Sequence, residues 1–136
     1  MDVPVSAIMT KDCYCMRGEQ TLAEILHEFD KRSISGGPVV DADGIVIGHL
    51  SRTGVSRHFA KAGHMDQDLT VAEVMETFAF QVYADDSVKS LLETMLASRI
   101  HRMIVTDDDG RPVGIVTSMD LMGMLYDRLT AELSHG

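Results

Sequence analysis

The chain has 136 residues, which suits one compact domain or two small units that fold together. Its formal net charge of −9 argues against binding to nucleic acid or to an anionic membrane, because both attract basic surfaces. No apolar run approaches the roughly 18 residues of a membrane-spanning helix, and MDVPVSAIMT shows no secretory signal. We therefore expect a cytoplasmic protein in which Cys13 and Cys15 stay reduced.

The sequence contains an internal duplication. A shift of 66 residues, the distance from Val5 to Val71, aligns the two halves without a gap. Identical residues fall at apolar positions and turns in one constant register. They include Met9 with Met75, Leu26 with Leu92, Ile34 with Ile100, Val39 with Val105 and Gly48 with Gly114.

In the first half, the short start VSAIM leads to a predicted strand at CYCM. A helix should follow Thr21, which is a suitable N-cap. Two strands, GPVVD and IVIGHL, flank DADG, a predicted hairpin turn with Gly44 at positive φ. A second helix is expected at about 52–62. The apolar stripe of the first helix contains Leu22, Ile25, Leu26 and Phe29.

The second half repeats this order. The start VAEVM precedes a predicted strand at AFQV, and Ser87 is the expected N-cap of the next helix. The strands MIVTD and PVGIVT flank the turn DDDG, and a last helix is expected at about 118–133. The polar stretch AGHMDQDLT links the halves. The apolar stripe of the helix after Ser87 contains Val88, Leu91, Leu92 and Met95.

This order predicts an α+β fold. Each half forms a small three-stranded sheet with flanking helices, and it keeps an apolar surface that one copy alone cannot bury. We therefore expect two repeats to fold as one module. The predicted boundaries are 3–60 for the first repeat, 61–68 for the linker and 69–130 for the second repeat.

The doubled pattern resembles the tandem CBS-domain pair, also called a Bateman module. The resemblance runs from Val5 to about Leu125 and is carried by VSAIM and VAEVM, PVVDADGIVIG, IHRMIVTDDDG and PVGIVTSMDLM. It implies two repeats packed through their sheets around a pseudo-twofold axis, with two clefts between them. Such clefts commonly bind adenosyl compounds: AMP, ADP, ATP, NAD(H) or S-adenosylmethionine. The resemblance also implies a homodimer, and it requires no cofactor.

The main cleft is expected where GIVTSMD ends. Asp120 resembles the ribose-binding carboxylate of the family, and Thr117 or Ser118 would donate to ribose or phosphate. Helix N–H groups there would also favour phosphate. The alternative is that Thr117 or Ser118 only caps the last helix, while Asp120 favours its positive end. The resemblance places adenine against four residues of the first repeat: Cys13, Tyr14, Ile34 and Ser35.

The second cleft departs from the family pattern, because Asp120 corresponds to Gly54. This cleft therefore lacks the expected ribose carboxylate. His101 and Arg102 look like a phosphate-binding pair. The alternatives are weak, different or no binding, with these two side chains exposed or in a salt bridge. The residues predicted for this cleft are Ser51, Thr77, Ala79, Ile100, His101 and Arg102.

Metal binding and catalysis find little support in the sequence. No histidine or cysteine spacing matches a zinc motif, and the run from Asp107 to Asp109 lacks the later ligands of a calcium loop. No phosphate-binding loop or nucleophile motif is present. We expect the two cysteines to pack as small apolar side chains beside the main cleft.

The sequence thus supports two functions. The first is a non-catalytic sensor that binds an adenosyl ligand and acts on a separate, unidentified protein. The second is a structural dimerisation module with ligand-free clefts. Retention of Thr117 and Asp120 favours the sensor, and the loss of a carboxylate at Gly54 favours the dimerisation module.

Overall fold

A computed structural model describes residues 3–77 and 79–135 and confirms the predicted α+β class. The helices are α1 (Leu22–Arg32), α2 (Arg52–Ala62), α3 (Val71–Val74), α4 (Val88–Ser98) and α5 (Ser118–His135), and a 3-10 turn spans Val5–Ala7. The strands are β1 (Thr10–Lys11), β2 (Met16–Arg17), β3 (Gly36–Val40), β4 (Val46–Ser51), β5 (Gln81–Tyr83), β6 (Arg102–Thr106) and β7 (Pro112–Thr117). Among the described residues, no helix combines the length and hydropathy needed to cross a bilayer.

The chain forms two compact units whose boundaries differ from those of the sequence repeats. The four-stranded unit contains Met1–Asp12, Phe80–Asp108 and Val113–Gly136. The three-stranded unit contains Cys13–Ala79 and Asp109–Pro112. The first residues of the first repeat therefore pack with the second repeat.

The four-stranded unit has the strand order β1-β7-β6-β5. Strand β1 runs antiparallel to β7, with Thr10 opposite Ile115, and β5 runs parallel to β6. Ser87 accepts a hydrogen bond from the Ser90 amide at 3.1 Å, so its predicted role as the N-cap of α4 is confirmed. The core of this unit contains Val5, Val82, Val88, Leu91, Met95, Met103, Val105, Val116 and Leu121.

The three-stranded unit has the order β2-β3-β4, with β2 parallel and β4 antiparallel to β3. Thr21 caps α1 by accepting from the Glu24 amide at 3.2 Å, as predicted. The turn glycines Gly44 and Gly110 have φ values of 83° and 86°, which confirms the predicted use of positive φ at both hairpin turns. The core of this unit contains Met16, Leu22, Ile25, Phe29, Val39, Leu50, Val55, Phe59 and Val71.

The prediction of a strand at CYCM is wrong for all but its last residue. Strand β2 begins at Met16, so Cys13 and Tyr14 precede it. In the second repeat, the Ile104 amide donates to the Phe80 carbonyl at 3.1 Å and helps to hold the segment before β5. The position equivalent to Ile104 is Pro38, which has no N–H to donate. The first repeat therefore cannot make the corresponding bond to Tyr14.

Strand β1 was not predicted either. Its pairing partner lies more than a hundred residues away, and two residues are too few to show an alternating pattern. The equivalent segment of the second repeat makes an isolated bridge, in which Glu76 and His49 exchange two backbone hydrogen bonds of 2.9 Å. Each repeat thus begins by pairing with the hairpin strand of the other repeat.

Candidate functional site

Strand β7 passes directly into α5 at a reciprocal helix cap. Thr117 Oγ1 accepts from the Asp120 amide at 3.3 Å, and Asp120 Oδ2 accepts from the Thr117 amide at 2.8 Å. The Thr117 hydroxyl also donates to Oδ2 at 3.2 Å. Thr117 and Asp120 therefore cap α5, as the alternative interpretation of these residues predicts. The cap also fixes the Asp120 carboxylate, because two donors of Thr117 hold its Oδ2.

The second oxygen of Asp120 faces strand β1. The Thr10 hydroxyl donates to Asp120 Oδ1 across 3.4 Å, a long and exposed hydrogen bond. Sequence reasoning missed Thr10. The available signal was the repeat alignment, which places a polar residue directly after each matched methionine: Thr10 after Met9 and Glu76 after Met75. We call Thr10, Thr117, Ser118 and Asp120 the Asp120 corner.

Residues predicted for the two different clefts meet beside this corner. The Ser118 amide donates to the His101 carbonyl at 2.9 Å, so the segment before β6 supports the start of α5. His101 is exposed, and Ile100 packs against the core of the four-stranded unit. Arg102 is half-buried, and this burial lowers the pKa of its guanidinium.

An open groove of about 540 Å³ begins at Asp120. It runs between the 3-10 turn and one side of α5 within the four-stranded unit. Asp120, Asp127 and Arg128 supply its charged groups, while methionine, alanine and isoleucine side chains give it apolar walls. The lining residues are Ala7, Ile8, Met119, Asp120, Gly123, Met124, Asp127, Arg128 and Ala131.

The three-stranded unit has an equivalent helix start, which we call the Gly54 corner and which contains Ser51, Arg52 and Gly54. Ser51 Oγ accepts from the Gly54 amide at 3.1 Å, and the Arg52 amide donates to the Ser35 carbonyl at 2.9 Å. The Arg52 guanidinium pairs with Asp30. Ser35, predicted for the main cleft, and Ser51, predicted for the second, therefore both support this corner.

The remaining predicted residues of the three-stranded unit fall into two places. Tyr14 lies under the Arg32 guanidinium, whose carbon is 4.4 Å from the ring centroid, and Ile34 packs against the core. A 2.9 Å hydrogen bond from Arg32 Nε to Glu28 fixes this cation and lowers the pKa of the Glu28 carboxyl. Thr77 is exposed and Ala79 half-buried, shortly after Glu76.

The two cysteines lie close together and are not bonded as a disulfide. Cys15 Sγ lies 3.7 Å from the Cys13 carbonyl oxygen. A hydrogen bond from the Cys13 side chain lowers the pKa of Cys15 to about 7, while partial burial acts in the opposite direction. Both residues are half-buried, and their packing beside the main cleft stays a prediction.

Within residues 3–77 and 79–135, no three His, Cys, Asp or Glu side chains come together in a way that would hold a metal ion. The chemistry of the two corners is that of hydroxyl, carboxylate and backbone amide groups at helix N-termini. Such groups recognise hydroxyl-bearing and anionic ligands.

A duplicated α+β unit, with a capped helix directly after the last strand of each copy, defines a class of paired α+β modules. The chain belongs to the CBS-domain family, because the CBS domain model matches residues 5–61 and 71–127.

The similarity extends to known proteins and solved structures. The chain is 28% identical over 115 residues to inosine-5'-monophosphate dehydrogenase of Methanocaldococcus jannaschii, covering 85% of this chain and 22% of that enzyme. Another protein of that organism, MJ1232, is 27% identical, and the chain spans 40% of its length. The chain therefore matches less than half of either relative.

Among solved structures, the CBS domain pair of protein MJ0100, in complex with 5'-methylthioadenosine and S-adenosyl-L-methionine, has a TM-score of 0.85 and 23% identity. The alignment covers 94% of this chain and 99% of that one. The CBS domain protein PAE2072 of Pyrobaculum aerophilum, complexed with AMP, has a TM-score of 0.78 and 19% identity, with 88% and 90% coverage. At these identities the likeness shows a common fold.

Proposed function

We propose that the chain is a non-catalytic regulatory module that binds an adenosyl compound at the Asp120 corner and passes its state to a separate protein. The observation that carries this proposal is the orientation of Asp120. Its Oδ2 is held by the helix cap, its Oδ1 faces the exposed hydroxyl of Thr10, and Asp120 is one of the residues that line the groove. The carboxylate is thus held in one orientation, and its Oδ1 accepts one long hydrogen bond from Thr10. Such a carboxylate can accept hydrogen bonds from the vicinal hydroxyls of a ribose.

The surroundings of Asp120 support a ligand with both polar and apolar parts. Its hydrogen bond to Thr10 is long and exposed, so a ligand hydroxyl can replace it at little cost. The exposed Lys11 follows Thr10 and offers a cation for phosphate. The relatives MJ0100 and PAE2072 have adenosyl compounds in their structures, which supports the same ligand class here.

The adenine contacts stay predictions. Cys13, Tyr14, Ile34 and Ser35 are proposed to contribute to adenine binding, and Tyr14 with its Arg32 cover is the best suited of them to stack on a base. The second group, His101 and Arg102 with Ser51, Thr77, Ala79 and Ile100, is proposed for a second ligand. Regulation requires that this ligand bind two states of the module with different affinity.

A thermal-shift screen tests the proposal, with AMP, ADP, ATP, NAD⁺, NADH and S-adenosylmethionine as probes. A ligand at one hundred times its Kd stabilises the native state by about 2.7 kcal/mol. This corresponds to a rise in Tm of roughly 10 °C for a domain of this size. We expect one or more probes to give such a shift, and Asp120→Asn to remove the part of the shift that comes from binding at the Asp120 corner.

The matched control is Asp108→Asn, which removes one exposed carboxylate from a hairpin tip of the four-stranded unit. It should respond to the ligands like the unmodified chain. If no compound shifts the Tm of the unmodified chain at millimolar concentration, the adenosyl-binding proposal is wrong.

A second candidate function, assembly into a homodimer, is favoured by the apolar surface of α5. Five side chains at helical spacing are half to three-quarters exposed: Met119 (70%), Met122 (60%), Leu125 (56%), Tyr126 (69%) and Leu129 (50%). We propose a second copy of the chain as the occupant. Gly123 lies within this stretch, and a Cβ added there would meet no atom within 4 Å, so another helix can approach closely. Asp127 and Arg128 follow Tyr126 and give each copy one charge of each sign, which an antiparallel two-fold contact can pair.

Analytical ultracentrifugation tests the dimer. We expect the unmodified chain to sediment as a dimer and Met122→Glu to sediment as a monomer, because the new charge would be buried in the interface. The matched control is Leu96→Glu, which places the same charge on an exposed leucine of α4 (76% exposed) outside this surface. A monomeric unmodified chain, or a dimer that survives Met122→Glu, would contradict this candidate.

A further inference from the structure

In both corners, the backbone of a repeat's starting segment approaches a glycine of the hairpin strand in the same way. A Cβ added at Gly114 would lie 2.8 Å from Met9 Sδ and 2.9 Å from the Thr10 carbonyl oxygen. A Cβ added at the equivalent Gly48 would lie 3.1 Å from Met75 Sδ and 2.4 Å from the Glu76 carbonyl oxygen. Each glycine therefore lets the starting segment of one repeat approach the hairpin strand of the other. Glu76 has the backbone position that Thr10 has in the other unit.

The first turns of α2 and α5 are held by equivalent hydrogen bonds. The hydrogen bond from Arg52 to the Ser35 carbonyl and that from Ser118 to the His101 carbonyl are both 2.9 Å long. The caps also correspond, with 3.1 Å from the Gly54 amide to Ser51 and 3.3 Å from the Asp120 amide to Thr117. Position 54 is thus the structural equivalent of position 120.

These two equivalences predict which side chains face each other. In the Asp120 corner, a hydroxyl from the strand (Thr10) meets a carboxylate from the helix (Asp120) across 3.4 Å. In the Gly54 corner, the strand position carries a carboxylate, Glu76, and the helix position carries no side chain. Each corner therefore has one carboxylate, contributed from opposite sides.

The space and the partners around Glu76 suit this role. Among the described residues, the atom that a Cβ added at Gly54 would meet within 4 Å is Ser51 Oγ, at 3.4 Å, so there is room for a side chain to begin at position 54. The carboxylate of a glutamate lies two bonds further from the backbone than the hydroxyl of a threonine, which brings it toward that space. Glu76 is exposed, and among the described residues no side chain donates to its carboxylate. It is available to a ligand.

We propose that Glu76 supplies the ribose-binding carboxylate of the Gly54 corner, so that the chain binds a second nucleoside there. This inference rests on the proposed function, because it assigns to Glu76 the role proposed for Asp120. The neighbouring groups define the ligand class further. Thr77 occupies the position equivalent to Lys11 in the repeat alignment, and the Arg52 guanidinium is paired with Asp30. The Gly54 corner itself thus recognises ribose hydroxyls rather than phosphate.

Isothermal titration calorimetry with adenosine tests the proposal, because adenosine carries the ribose diol without phosphate. We expect two equivalents per unmodified chain. Glu76→Gln and Asp120→Asn should each lower the affinity for adenosine at the affected corner at least tenfold. At the concentrations that saturate the intact corner, each variant should therefore bind one equivalent. The matched control is Glu24→Gln, which removes an exposed carboxylate elsewhere in the three-stranded unit and should bind two equivalents.

A double substitution tests whether binding of the second equivalent of adenosine can be restored. Gly54→Asp alone would place two carboxylates in one corner and weaken binding there, because like charges repel. Gly54→Asp combined with Glu76→Thr copies the Asp120 corner and should restore the second equivalent.

The outcomes separate this inference from the proposed function. One equivalent that is lost in Asp120→Asn and kept in Glu76→Gln would overturn the role of Glu76 and leave the Asp120 proposal intact. Two equivalents in Glu76→Gln would overturn it as well. No binding of adenosine or of any adenosyl compound to the unmodified chain would overturn both.

Discussion

The Asp120 corner and the Gly54 corner share a backbone and differ in chemistry. Both have a helix that begins directly after a strand, a hydroxyl cap, a supporting carbonyl and a glycine that admits the neighbouring chain. Only the Asp120 corner closes the cap in both directions, because Asp120 accepts from the Thr117 amide. Caps and glycines thus maintain the repeat fold in both units, while the side chains at positions 54 and 120 differ without changing the backbone.

The difference also has an energetic side. Asp120 contributes its carboxylate to the cap and to the positive end of α5, whereas Gly54 contributes neither and costs about 0.5–1 kcal/mol relative to alanine in a helix. The start of α2 is therefore held less firmly than the start of α5. The comparison can be tested by changing equivalent residues in the two units and measuring each unfolding free energy.

The largest effect is expected from Gly48→Ala. Its new Cβ would overlap a backbone oxygen at 2.4 Å, which no side-chain movement can relieve, so we expect a loss of about 3 kcal/mol. Gly114→Ala meets Met9 Sδ, which can move, as well as the Thr10 carbonyl oxygen, and should cost about 2 kcal/mol. Urea denaturation measures both values.

The control for these two variants is Gly54→Ala, where the nearest atom is 3.4 Å away. It should leave stability unchanged or raise it by about 0.5 kcal/mol, because alanine favours the helix. If Gly48→Ala is as stable as Gly54→Ala, the close approach of Glu76 to strand β4 is not present in solution.

A smaller effect is expected from the caps. Ser51→Ala removes one hydrogen bond and should cost about 1 kcal/mol. Thr117→Ala also removes a donor to Asp120 Oδ2 and should cost about 1.5 kcal/mol. Thr53→Ala, an exposed change in the first turn of α2, is the control and should be nearly neutral. Equal losses for Ser51→Ala and Thr117→Ala would show that the reciprocal cap adds nothing.

Features that depend on local sequence were predicted well. The N-caps Thr21 and Ser87, both hairpin turns and the helix at 52–62 follow from residue types and spacings within a few positions of each other. The duplication itself was visible because the matched residues keep one register throughout.

Features that depend on distant partners were not predicted. Strand β1 exists because Thr10 and Lys11 pair with Ile115 and Gly114, and nothing near Thr10 reveals this. Strand β2 begins one position later in its repeat than β5 does, and Pro38, more than twenty residues after CYCM, lacks the N–H that its equivalent Ile104 donates to Phe80. The site was affected in the same way. Thr117 and Asp120 were predicted from their own motif. The repeat alignment marks Thr10 and Glu76 as equivalent polar positions, but it does not show that Thr10 lies beside Asp120.

The segments before β2 and β5 offer a further test of the comparison. Cys13 and Cys15 correspond to Ala79 and Gln81, so only the first repeat carries thiols. Because the hydrogen bond from Cys13 lowers the pKa of Cys15 to about 7, Cys15 should react with iodoacetamide at a rate that is half-maximal near that pH. Cys13→Ala removes the donor and should move this midpoint toward the ordinary thiol value.

Stability should follow the same titration. The pKa of Cys15 is lower in the folded than in the unfolded chain, so its contribution is fully present above the unfolded value and is lost as the pH falls through about 7. Relative to Cys15→Ala, the intact chain should therefore gain stability as the pH rises above 7. Cys13→Ala should show little of this gain, because it lacks the hydrogen bond that lowers the pKa. An alkylation midpoint at the ordinary thiol pKa in the unmodified chain would show that the two side chains are not in contact.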